Sequence, residues 1–320
     1  MKTKDNKIDR RDFLKKVGVA GLGSVFVSAQ VKAMASKERD SAKQQEPESV
    51  QVPRRKLGKT GVEVPVLSLG VEFNALDNQV VLQKALGYGV NYWDTAETYA
   101  GGNAALGVGK FLGENPGLRK RIFIVTKASG SKGSYDEHKP VPADVEKCLQ
   151  ASLKRLNTNY IDMYFSFHGL SDPVHLTDEV KRWVQSAKQR KLIRFFGFST
   201  HENMAQCLTA AARLDWIDAI MTAYNFKLRY DAEMQAAIDA CHKAGIGLVA
   251  MKTQAFGQKF ETDQDKKLVK HLLERGFTEG QAKIKIVLDD KRFSSACVGM
   301  ESVALLKSNV AAVLDKTELS

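Results

Sequence analysis

A chain of 320 residues with 43% hydrophobic side chains can bury one large core or two modest ones, and α/β barrels of about 250 residues are single units. The net charge of +11 is uneven: residues 1–35 hold eight Lys/Arg against three Asp/Glu, almost half of the whole excess. The remainder has no basic run interleaved with aromatics, which argues against nucleic acid as a partner. Cys148, Cys207, Cys241 and Cys297 lie far apart and lack metal-ligand spacing, so they read as buried free thiols and no metal is expected.

The chain opens with Arg10-Arg11-Asp12-Phe13-Leu14-Lys15-Lys16, a mildly apolar stretch from Val17 to Val31, then Lys32 and a small-x-small site, Ala33-Met34-Ala35. This segment resembles a twin-arginine (Tat) signal peptide. The resemblance implies a partner, the Tat export machinery, and a periplasmic protein, or a membrane-tethered one if the leader is kept. That route carries folded proteins and implies a cofactor loaded before export. Residues 36–52 are polar and aromatic-free and read as a flexible linker. The expected organisation is a signal peptide at 1–35, the linker, one folded domain at 53–316 and a short tail at 317–320.

From Val64 onward, strand patterns alternate with helix patterns. Val64 to Val71 reads as the first strand, with a helix at Asn78 to Leu86. The second strand ends at Asp94 (helix Ala104 to Leu112), the third at Lys127 (helix Pro142 to Leu156) and the fourth at His168 (helix Thr177 to Gln189). Ile193 to Phe198 is the fifth, followed by a helix from near His201 to Asp215. Ala219 to Tyr224 is the sixth, with a helix from Asp231 to Ala244 closed by Gly245. Ile246 to Met251 is the seventh, with helices at Asp265 to Arg275 and Glu279 to Leu288. Ala296 to Met300 is the eighth, with Ser302 to Leu314 helical after it. Eight such units predict an α/β fold, a single-domain (β/α)₈ TIM barrel. No GxGxxG follows the first strand, which weighs against an open dinucleotide-binding sheet.

Barrel enzymes carry their chemistry at the carboxyl ends of the strands. Asp94, Lys127 and His168 occupy three successive ends, and Tyr99 lies just past the second. A carbonyl that accepts hydride becomes an alkoxide and needs a proton donor within hydrogen-bond reach. Tyr99 fits that part, and a neighbouring Lys127 ammonium is expected to lower the pKa of its phenol. Asp94 would hold the lysine charged and oriented, and His168 would position the substrate oxygen or relay the proton. The plainer alternatives are an Asp94–Lys127 ion pair bracing the barrel mouth, a surface tyrosine and a structural histidine.

Several motifs are similar to those of the aldo/keto reductase family. They are Arg55-Lys56-Leu57-Gly58-Lys59-Thr60-Gly61, Asp94-Thr95-Ala96-Glu97-Thr98-Tyr99, Ile124-Val125-Thr126-Lys127, Ser152 to Leu156 running into Tyr160 to Tyr164, and Gly197-Phe198-Ser199-Thr200-His201. The resemblance covers about residues 54 to 314. It implies the same barrel, NAD(P)H without metal, and a catalytic tetrad of Asp94, Tyr99, Lys127 and His168. It also implies cofactor contacts from Ser199, Thr200, Met251, Lys252, Gly299, Met300 and Asn309, with NADP(H) favoured over NAD(H) on family habit and Lys252. Several of these depart from the family pattern: Thr200 stands for Asn, Met221 for Gln, Met251 for a stacking Tyr, and Leu305 for a phosphate-binding Arg. The spacing from Asp162 to His168 is one residue longer than the family's, which a β-bulge would absorb.

The expected function is therefore exported, NAD(P)H-dependent reduction of an aldehyde or ketone, with a small carbonyl or alcohol as substrate. Selectivity would lie with Glu72-Phe73-Asn74, the 128–141 loop and residues 255–261. A redox partner that recycles the cofactor is a further expectation, because free NADPH is scarce outside the cytoplasm. The alternative is a nicotinamide-binding sensor on the same barrel with little turnover.

Overall fold

An antiparallel hairpin opens the folded region, β1 (Arg54–Lys56) against β2 (Glu63–Pro65), with Arg55 opposite Val64. The computed structural model describes residues 50–128 and 142–319. The expected signal peptide at 1–35, nearly all of the expected linker, and most of the 128–141 loop therefore lie outside the described residues. After the hairpin come β3 (Leu67–Gly70), α1 (Gln79–Gly87), β4 (Tyr92–Asp94), α2 (Asn103–Glu114) and β5 (Phe123–Lys127). The series continues with α3 (Pro142–Arg155), β6 (Ile161–Phe167), α4 (Asp178–Gln189), β7 (Ile193–Thr200), α5 (Met204–Ala211), β8 (Ala219–Ala223) and α6 (Ala232–Lys243). It ends with β9 (Gly247–Met251), α7 (Asp263–Glu274), α8 (Glu279–Asp289), β10 (Phe293–Gly299) and α9 (Val303–Leu314).

Strands β3 to β10 form one closed parallel barrel, each paired with its neighbour in chain order and β10 returning to β3. Strands buried on both faces need continuous apolar runs, and every residue of β5 and β6 is buried. Inside the barrel, Tyr92, Phe123, Val125, Met163, Phe165, Met221 and Val249 pack together. Alternate residues such as Trp93, Ile124, Tyr164 and Phe196 face outward into the layer shared with the helices. The helices start where their caps predict: Thr177 Oγ1 accepts from Val180 N, Asp231 from Met234 N, and Thr278 forms a capping box with Gln281. Past α6, Gly245 lies in the left-handed region (φ 72°) and turns the chain into β9.

Three boundaries differ from the sequence reading. The stretch from Val64 to Val71 is two strands in two sheets. Pro65 brings no N–H to a ladder, and Val66 N donates to Pro53 O at 2.9 Å, so the chain turns a corner there. The fifth helix spans only Met204–Ala211, because Asn203 (φ 46°) holds the preceding residues in a turn. The eighth strand starts three residues early, at Phe293, through a register shift against β9.

The hairpin β1–β2 escaped the periodicity search because Arg54-Arg55-Lys56 carries no apolar face. Its loop holds Leu57, which is fully buried and belongs to the barrel's interior cluster. Gly247, the first residue of β9, leaves the space that Leu57 Cδ1 fills. The hairpin therefore plugs the amino end of the barrel and leaves the carboxyl end as the open mouth.

Candidate active site

Asp94 closes β4 and Lys127 closes β5, so both side chains stand at the open mouth. Tyr99 follows in the turn Tyr99–Gly102, where Ala100 (φ 50°), Gly101 and Gly102 are left-handed and reverse the chain into α2.

The placement of His168 depends on a parity argument. Along β6, Met163 and Phe165 face the barrel interior and Tyr164 faces out. Strict alternation would send residue 167 inward and residue 168 outward. Instead Phe165 pairs with Gly197 and Phe167 with Phe198, so Ser166 is an extra residue opposite none. Phe167 consequently packs in the outer cluster, and His168 turns into the mouth. The expected bulge is present, and it compensates for the long Asp162–His168 spacing.

Four side chains meet there. Lys127 Nζ donates to Asp94 Oδ2 at 2.6 Å and to Thr95 O at 3.1 Å, with the two side chains only 1% and 3% exposed. The same ammonium lies 4.8 Å from the centre of the Tyr99 ring. Tyr99 OH stands 3.2 Å from His168 Nε2, with the rings nearly edge to face. Burial pushes the Asp94 carboxyl up, against the Lys127 charge that pulls it down. Burial pulls Lys127 down, but Asp94 and Tyr99 outweigh it, and the ammonium is held above its usual range.

The phenol departs from the sequence reading. Loss of solvent, with a smaller push from the carboxylates of Asp94 and Glu72, raises the Tyr99 pKa to about 12. Lys127 pulls in the expected direction and is outweighed, since a phenolate in an apolar mouth loses more hydration than one ammonium returns. At neutral pH the group is an un-ionised proton donor, hydrogen-bonded to an imidazole and with an ammonium against its ring.

The mouth opens on a cavity of about 590 Å³ bordered by Asp94, Tyr99, His168, Met221, Met251, Lys252 and Gly299. Lys127 sits behind Asp94. Glu72 and Phe256, from two of the loops expected to set selectivity, also border it, as do His201 and Cys297, which the sequence reading had not placed there. Cys297 was legible in principle, since it lies two residues before Gly299 on an alternating strand. All four cysteines are free and buried.

Ser199, Thr200, Met300 and Asn309 are buried near this rim but do not form the cavity wall. Ser199 Oγ donates to Phe167 O, and Thr200 Oγ1 is engaged with Leu170 O at 2.7 Å and Glu202 O at 3.0 Å. Neither hydroxyl points at the cavity. Asn309 differs from them: its amide Nδ2 is buried with no partner among the described residues. A buried donor without an acceptor is a group that a ligand oxygen or ring nitrogen would complete. With Met251, Lys252 and Gly299 in the wall, the donor set fits an elongated anionic ligand such as a dinucleotide, lying between β9, β10 and α9. Among the described residues no cluster of His, Cys, Asp or Glu has the make-up of a metal site, and no helix is long and apolar enough to cross a membrane.

The aldo/keto reductase family profile matches residues 68–318. The chain belongs to the aldo/keto reductase family. Among relatives in this family, aldo-keto reductase yakc of Schizosaccharomyces pombe, whose name carries NADP(+), is 28% identical over 212 residues, 62% of this chain and 60% of that one. An uncharacterized oxidoreductase of Bacillus subtilis, YqkF, is 33% identical over 159 residues, 46% of this chain and 48% of that one. The chain spans between 55% and 60% of the length of the first three curated relatives it matches. In three dimensions it is similar to the thermostable aldo-keto reductase Tm1743, crystallised with the inhibitor epalrestat. That likeness has a TM-score of 0.69 at 25% identity, over 83% of this chain and 96% of the other. Membership of the family accords with the single-domain TIM barrel described above.

Proposed function

We propose that this protein is an NADP(H)-dependent reductase of aldehydes or ketones, with Tyr99 as the proton donor. The observation that carries the reading is the contact of Tyr99 OH with His168 Nε2 at 3.2 Å while Lys127 lies against the same phenol. A carbonyl oxygen seated between the phenol and the imidazole would receive two hydrogen bonds, and these strengthen as negative charge develops on it. The bound nicotinamide supplies the hydride. Tyr99 then passes its proton to the forming alkoxide, a stronger base than the phenolate left behind. Lys127 stabilises that phenolate, and Asp94 keeps the ammonium charged and aimed.

Met251, Lys252 and Gly299 would hold the cofactor along the β9–β10 side, and Asn309 Nδ2 would meet the acceptor it lacks. Lys252 is a cation in the cavity wall with no carboxylate partner among the described residues, which favours a phosphate-rich cofactor and NADP(H) over NAD(H). Ser199 and Thr200 would contribute through backbone groups, since their hydroxyls are engaged elsewhere. A sensor with little turnover would leave the buried Asp94–Lys127 pair and the inward turn of His168 without a purpose.

The reading extends to the amino terminus. Arg10-Arg11 with Phe13-Leu14-Lys15 supports export by the Tat route to the periplasm, with cofactor loaded beforehand and a redox partner to recycle it. Fractionation of cells expressing the full chain and its Arg10→Lys/Arg11→Lys variant tests this; equal distribution of the two would refute it. For the reaction, purified protein is supplied with NADPH and a panel of aldehydes. Consumption that vanishes in Tyr99→Phe supports the reading, and consumption that survives rejects it.

A further inference from the structure

Glu72 lies two residues past the end of β3, at the rim where Asp94 and Lys127 close β4 and β5 and His168 follows β6, and its side chain borders the same cavity while reaching solvent. The ion pairs among the described residues do not include it. Its charge is felt across the mouth, raising the pKa of Asp94, Tyr99 and Cys297. The other charges of the wall are accounted for. Asp94 is matched by Lys127, and Lys252 is turned onto the ring of Phe256, 4.6 Å from its centre. Lys252 also follows β9, two strands away from β3 around the barrel.

On the substrate side, one carboxylate therefore has no counter-charge among the described residues, beside a proton donor. A carbonyl compound docked at Tyr99 and His168 would extend its remote end toward the mouth and meet that carboxylate. An anionic end group would be repelled and a cationic one drawn in, with the field strengthened by the low-dielectric walls of the cleft. We infer that Glu72 selects carbonyl substrates bearing a cationic ammonium group, such as amino aldehydes, over neutral and anionic ones. This rests on the reductase reading for its chemistry, but the charge preference belongs to the cavity itself.

The test uses an isosteric pair, in which a trimethylammonium group replaces a tert-butyl group of the same shape. The specificity constants for 4-(trimethylammonio)benzaldehyde and 4-tert-butylbenzaldehyde are measured with wild type and Glu72→Gln at one pH. The trimethylammonium group also activates the carbonyl, so the wild-type ratio is read against that of Glu72→Gln, in which this activation is the same. At low ionic strength the wild-type ratio should be the larger by about fivefold, the size of a part-exposed ion pair, and the excess should vanish in concentrated salt. Taking a ratio at fixed pH cancels any change in the acidity of Tyr99.

The two corresponding benzyl alcohols, titrated into the NADPH-loaded protein by calorimetry, give the same comparison without turnover, since neither can accept hydride. A ratio unchanged by Glu72→Gln overturns the inference. Charge-selective binding without reduction of either aldehyde upholds the inference and rejects the reductase reading. Reduction of both aldehydes with no charge preference does the opposite.

Discussion

Lys127 and Asp94 meet at 2.6 Å with almost no contact with water, and neither would be stable there alone. Desolvation acts against both charges, and each ion is the largest attraction the other has. In such pairs, removing one partner leaves a buried charge uncompensated and costs about 3–5 kcal/mol, whereas apolar replacement of both is far milder. Lys127→Met should therefore lose about that much in urea unfolding, and Lys127→Met/Asp94→Leu should be more stable than Lys127→Met. Equal stability of the single and the double variant would contradict the ion-pair account.

Tyr99→Phe removes the phenolic oxygen and leaves the ring against Lys127 and His168. Loss of a positioned general acid costs about 10²- to 10⁴-fold in rate. The fall should appear in kcat and kcat/KM together, because the proton moves in the transition state. Nucleotide fluorescence should show NADPH binding within about twofold of wild type. A variant that loses cofactor affinity and keeps its turnover number would transfer Tyr99 from proton donation to cofactor binding.

The raised phenol makes a prediction about alkaline pH. Tyr99 titrates near 12 when folded and near 10 when unfolded. The folded state holds its proton more tightly, so this contribution to stability is complete below about pH 10 and is lost as pH rises through about 12. Two pKa units correspond to about 2.7 kcal/mol, which Tyr99→Phe would lack. Tyr224, also raised to about 12, adds to the same window in both proteins, so the difference between wild type and variant is the quantity to measure. In catalysis the direction is also fixed. Reduction should stay level through neutral pH, and alcohol oxidation, which needs the phenolate, should climb toward alkaline pH. Lys127→Met removes the one cation that lowers this pKa, so the phenolate absorbance should appear at still higher pH.

The eight strand ends were legible because parallel strands buried on both faces leave unbroken apolar runs, and a polar residue closing such a run marks the rim. That alone located Asp94, Lys127 and, within one residue, His168. The hairpin was not legible, because Arg54-Arg55-Lys56 pairs through its backbone and buries Leu57 from the loop instead of from the strand. The direction of the Tyr99 shift was not legible either. A nearby ammonium can be inferred from strand order, but the depth of burial that outweighs it depends on how the 99–102 turn folds back. The hydroxyl directions of Ser199 and Thr200 were not legible for a related reason: the positions follow from β7, whereas the directions follow from the carbonyls of Phe167 and Leu170, which belong to another strand and its loop.

The bulge at Ser166 allows the aim of His168 to be tested separately from its chemistry. In β6 the sequence Phe165-Ser166-Phe167-His168 places Phe167 outside and His168 inside only because the register against β7 shifts by one residue between Phe165 and Phe167. Deleting Ser166 would restore regular pairing, with Phe167 next to Phe165, still outside, and His168 still inside. The deletion should thus keep activity within about tenfold, since a one-residue shift of register turns side chains over only when parity changes. Inserting an alanine after Ser166 changes the parity if the bulge does not grow to absorb it. That insertion should take the imidazole away from Tyr99 and reduce turnover to the level of His168→Ala. A deletion variant as inactive as the insertion variant would show that the bulge itself, and not the parity it preserves, positions the histidine.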